Sequence, residues 1–187
     1  MKRELKMKTS RRFAIVAFSA FFIASCGGGS SSSSGSVSLT ATDVSAGLNV
    51  NPNGFAFANF TSASSAEEFV ADDLVKMFGL SKDVCVGGTM PCTLVPEAAA
   101  FARLVNEARA SGHCEGLVVS AGERFNSAAE PSTVTLENKG DITHGLMRTF
   151  ATQFLKEVVS DTEKWTAASL KEKVAALEAS FAKSEMS

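Results

Sequence analysis

Downstream of about residue 53, apolar residues recur mostly at helical spacing, and the pattern predicts a mainly α, small single-domain bundle of about five helices with at most a minor β element. Ser65-Ala66-Glu67-Glu68 has capping-box spacing, and the apolar run through Phe69, Leu74, Val75, Met77 and Phe78 stops at Gly79, a favourable residue just beyond a helix. Pro96-Glu97 opens a second helix, with Phe101, Leu104, Val105 and Ala108 on one side before Gly112. A third is predicted from Cys114 to Asn126, with Cys114, Val118, Ala121 and Phe125 as its apolar stripe. A fourth, around Ile142 to Ser160, places Met147, Phe150, Phe154 and Val158 together. The last, near Thr166 to Lys183, repeats Leu170, Val174, Leu177 and Phe181, a narrow stripe that suits an interaction arm or, as the expectation here, packing into the core. Val134-Thr135-Leu136 is the serious strand candidate, and no internal repeat is visible.

The first 26 residues follow another pattern. Lys2, Arg3, Lys6, Lys8, Arg11 and Arg12 precede an apolar run of twelve residues, Phe13 to Ala24. A membrane-spanning helix needs about 20 apolar residues, so the run reads as the core of a secretory signal. Its end, Ile23-Ala24-Ser25-Cys26, resembles the lipobox of bacterial lipoproteins. That resemblance implies a signal peptide over residues 1–25, acylation of Cys26, and a cell-envelope protein whose partner is the lipid bilayer. The competing reading is an ordinary secretory signal with a coincidental cysteine. Ser10-Arg11-Arg12-Phe13 resembles a twin-arginine signal, but Ala14 departs from it and general secretion is the default. Gly27, where aspartate would imply inner-membrane retention, implies outer-membrane sorting in a host with two membranes.

Composition extends this organisation. Residues 27–36 are all Gly or Ser, a flexible coil. Residues 26–52 therefore read as lipidated cysteine and linker, with a possible extended piece at Val37-Ser38-Leu39-Thr40, and 53–187 as the helical domain beginning at the cluster Phe55, Phe57 and Phe60. Without residues 1–25, which hold six of the 18 Lys/Arg and one of the 20 Asp/Glu, 12 basic face 19 acidic residues, a net charge of about −7. Phosphate backbones repel such a surface, so no nucleic acid partner is expected. A protein or peptide partner is left open. Asn59-Phe60-Thr61 fits a glycosylation sequon but reads better as part of the core.

With Cys26 consumed, Cys85, Cys92 and Cys114 remain, and three thiols cannot all pair within one chain. Cys85 and Cys92 flank the turn-rich Val86-Gly87-Gly88-Thr89-Met90-Pro91, which predicts a disulfide between them and leaves Cys114 as the odd cysteine. The spacings lack paired Cys-x-x-Cys signatures, so neither a metal nor another cofactor is expected. Cys114 follows Gly112 at a helix start, where orphan N–H groups favour a thiolate; on an apolar stripe it is equally an inert buried cysteine. Glu115 reads as a first-turn charge that the helix dipole stabilises.

Gly112-His113-Cys114-Glu115-Gly116-Leu117 is similar to the Cys-bearing central helix of papain-like cysteine peptidases. The resemblance implies a nucleophilic Cys114, a histidine base and an Asn or Asp that orients it. Downstream of Cys114 the histidine is His144, with Asp141 one turn before it; where the family carries its oxyanion-hole glutamine this chain has Ala108, and Asn106 is the nearest amide. Two functions follow: a surface-tethered binding or structural lipoprotein, the working expectation, and a thiol hydrolase or transferase, intact or truncated.

Overall fold

A computed structural model describes residues 47–182. The leader, Cys26, the Gly/Ser linker and the extended piece anticipated at 37–40 lie outside the described residues. Within them the fold is mainly α: α1 (Val50–Asn53), α2 (Ala71–Phe78), α3 (Pro96–Ala108), α4 (Cys114–Asn126), α5 (Asp141–Ala151), α6 (Lys156–Ala167) and α7 (Leu170–Ala182), joined by short 3-10 turns and with no strand. α5 lies between α4, its main partner, and α2, which in turn meets α3. No helix among the described residues is long and apolar enough to cross a membrane.

The core gathers Phe69 and Leu74 around α2, Ala98, Ala102 and Val105 of α3, and Met147, Phe150 and Ala151 of α5. Phe69, only 2% exposed, contributes roughly 1.5–3 kcal/mol by that burial. The Cys85–Cys92 disulfide is formed and closes the loop before α3, placing Val84 and Cys85 in the same core. Pro96 occupies the first turn of α3, where its missing N–H removes no helical bond. Leu104, expected on the apolar side, is 45% exposed; the buried stripe is Ala98, Ala102 and Val105, and the small alanines let neighbouring elements approach.

Several predicted boundaries move, each because side chains compete for backbone groups. The helix expected from Ser65, α2, begins at Ala71. Residues 67–69 are held outside the helix because the Phe69 N–H and C=O bond the Asn106 amide at 2.9 Å each, while Arg109 takes the Glu67 carbonyl. The helix anticipated over 142–160 is broken after Ala151: Thr152 Oγ1 donates to the Thr149 carbonyl at 2.7 Å and Gln153 Nε2 to that of Phe150 at 2.9 Å, and Leu155 is extended. The last helix starts at Leu170, since Ser169 and Glu172 form a true capping box, with Ser169 N donating to Glu172 Oε2 at 2.8 Å and Glu172 N to Ser169 Oγ at 3.3 Å. Its expected core packing is not found among the described residues: Leu170, Val174 and Leu177 are exposed. Val134-Thr135-Leu136 is not a strand; Thr133–Thr135 is a 3-10 turn, anchored by Arg124, which donates to Thr133 Oγ1 at 3.1 Å and to the Pro131 carbonyl.

α4 spans the expected residues, but its fully buried positions lie off the expected stripe, of which Ala121 and Phe125 are half-buried. Val118 is 68% exposed and Cys114 is exposed, whereas Gly116 and Gly122 are buried. A Cβ at Gly116 would collide with the Leu146 carbonyl and stand 3.1 Å from Phe150 Cβ, so the backbones of α4 and α5 approach too closely for any side chain there. Beside it Thr149 Oγ1 meets both the Gly116 carbonyl, at 3.1 Å, and Ser120 Oγ, at 2.8 Å.

Candidate functional site

Two polar clusters contain the histidines. The first is built where α3 ends and α4 begins. Gly112, at φ +107°, turns the chain, and a Cβ there would sit 2.6 Å from the Asn59 amide. This turn delivers His113 into the interior, fully buried, stacked on Phe60 with ring centroids 4.1 Å apart and beside Phe150 at 5.2 Å. A carbonyl can only accept, so the 2.7 Å contact between Nδ1 and the Phe60 oxygen assigns the proton to Nδ1. Nε2 then accepts from Arg109 Nε at 3.0 Å, and the His113 N–H donates to Asn59 Oδ1 at 2.7 Å. Arg109, also buried, donates to Asn106 Oδ1 at 2.8 Å as well.

Burial depresses the His113 pKa; the bond to the Phe60 carbonyl works the other way, and the Arg109 charge adds to the depression. Burial likewise lowers the Arg109 pKa, opposed by Glu68, Asp73 and Glu67. The assembly ties residues 59–69 onto the α3–α4 corner with neutral imidazole and charged guanidinium, every nitrogen of the ring engaged. It is a structural fastening, and Asn106 belongs to it: both ends of its amide are committed to the Phe69 backbone.

The second cluster lies between α2 and α5. Asp73, 1% exposed, accepts from His144 Nδ1 and Arg148 NH1, each at 2.8 Å, and from the Val70 N–H at 3.0 Å. His144 Nε2 faces Glu67 Oε2 at 3.8 Å, while Glu67 Oε1 accepts from the Gly140 N–H at 2.7 Å. Oε2 itself is buried without a hydrogen-bond partner. A carboxylate behind an imidazole is the orienting half of general-base machinery. Here, however, the nitrogen that would take a proton from a nucleophile is turned to a second carboxylate.

The residues expected to act together are distributed over the molecule. Asp73, not Asp141, holds His144. Gly140 precedes α5, Asp141 is its first residue, and the exposed Asp141 carboxylate reaches Lys76 at 3.6 Å. Such a surface pair contributes about 0–1 kcal/mol. Cys114 begins α4, whose start meets the second half of α5, as the His113–Phe150 and Gly116–Phe150 contacts show. His144 lies six residues before Phe150, about 9 Å along the helix axis. Asp73, Glu67, Arg148, Arg109 and Asn59 were not candidates from sequence; the one local sign was His144 and Arg148 sharing a helix face at four-residue spacing. No protein-family model, no curated protein and no solved structure matches the chain.

Proposed function

We propose that the protein is a bacterial lipoprotein: a helical binding or structural domain, held at the cell envelope by acylated Cys26 through the Gly/Ser linker. The observation that carries this reading is the order along the chain of basic segment, twelve apolar residues, Ile23-Ala24-Ser25-Cys26 and a Gly/Ser run, followed by a domain with its own core. A diacylated cysteine supplies the two chains that stable anchoring needs. The domain supports a scaffold role, because its buried polar side chains serve as fastenings between elements. Cys114, exposed at the first position of α4, supports the alternative of a thiol hydrolase or transferase. That alternative is the weaker one, since Asn106 is bonded to Phe69, Asp141 pairs with Lys76, and His144 is enclosed between Asp73 and Glu67.

The test is metabolic labelling with a palmitate analogue in a bacterial host. The full chain is expected to take up label and fractionate with membranes, an inhibitor of the lipoprotein signal peptidase should accumulate the larger precursor, and Cys26→Ala should abolish labelling. Unlabelled protein released without dependence on Cys26 would refute the anchor.

A further inference from the structure

Among the described residues the core draws no side chain from α7, and Leu170, Val174 and Leu177 stand 78%, 44% and 37% exposed along it. Their spacing of four and then three residues, continued four further by Phe181 in the sequence, is that of a coiled-coil seam with Val174 at position a and Leu170 and Leu177 at d. A β-branched residue at a with leucine at d favours two parallel strands. In that register Lys173 falls at g and Glu178 at the following e, the positions that meet across a parallel pair. Lys173 Nζ donates to the Thr166 carbonyl at 3.3 Å, and neither Lys173 nor Glu178 has an ion-pair partner among the described residues. The Ser169–Glu172 capping box secures the start of the helix on the side away from the seam.

We infer that α7 docks a second copy of this chain as a short, parallel, in-register coiled coil, with Leu170, Val174 and Leu177 in the seam and Lys173 of each copy against Glu178 of the other. The opposite signs at g and e make the face complementary to itself, which selects a second copy over an unrelated apolar partner. The inference does not depend on the membrane anchor.

The experiment uses the full chain in a Cys26→Ala, Cys114→Ser background, so that no thiol outside the Cys85–Cys92 disulfide remains. Leu177→Cys, in the seam, should cross-link into a dimer under mild oxidation, whereas Ala179→Cys, on the outer face, should not. Adding Lys173→Glu or Glu178→Lys to Leu177→Cys should lower the cross-linked fraction about fivefold, because each change sets like charges opposite one another twice per dimer. Both changes together should restore it. Equal cross-linking at 177 and 179, failure of the double reversal to rescue, or a product containing a host protein in place of the second copy would each overturn the proposal.

Discussion

His113 owes its neutral state to its position: a carbonyl takes the Nδ1 proton, a guanidinium donates to Nε2, and burial removes the water a cation would need. The unfolded chain takes up a proton near the ordinary imidazole value of about 6.5, while the folded protein resists until lower pH. The ring's contribution is therefore complete above about pH 6.5 and is lost as pH falls toward the depressed folded-state value. The thermal midpoint should drop between pH 7.5 and 5.5 more steeply in the wild-type protein than in His113→Ala; parallel curves would contradict this assignment. At neutral pH the same substitution should cost about 2–4 kcal/mol in urea unfolding, since it opens a cavity and strands Arg109 Nε and the Phe60 carbonyl. None of this was legible at the level of residues. A Gly-His-Cys sequence draws attention to the cysteine, and while Arg109 is four residues before the histidine, its other partners, Phe60 and Asn59, come from 53 and 54 residues earlier in the chain.

Among elements, the α4–α5 contact rests on the absence of a side chain. Alanine normally improves a helix interior relative to glycine by about 1 kcal/mol. At Gly116 it should instead destabilise by about 1–3 kcal/mol, because the colliding atoms belong to the Leu146 backbone and the Phe150 Cβ and cannot swing aside. Gly145 supplies the opposite sign: its Cβ would meet only the flexible end of Arg148 at 3.7 Å, so Gly145→Ala should be neutral or stabilising by up to about 1 kcal/mol. Chemical denaturation of the two variants checks the pair. The bounds of α4 were readable, as glycine before it and helical periodicity within it are local signals. Its buried face was not, since periodicity counts apolar side chains whereas this interface selects for none. The same limit applies to the division between α5 and α6, where Thr152 and Gln153 divert hydrogen bonds without any proline or glycine to mark the break.

Over the whole molecule, the disulfide binds the 85–95 loop to the core that α2, α3 and α5 share. Replacing Cys85 and Cys92 together with alanine should lower the unfolding free energy by about 2–3 kcal/mol through the freed chain entropy of a short loop, measured against the oxidised wild type. An unchanged denaturation midpoint would show that the loop is held by packing alone. The sequence by itself determined the helical class, most of the helix positions, the cysteine pairing and the expectation of an anchored, acidic domain, because these follow from short-range periodicity, composition and loop length. Only the tertiary structure decided which face of each helix is buried and which carboxylate holds which imidazole, and only it left Leu170, Val174 and Leu177 of α7 outside the core. Those outcomes depend on contacts between residues tens of positions apart, such as Asp73 with His144 and Asn106 with Phe69, for which a single sequence carries no local mark.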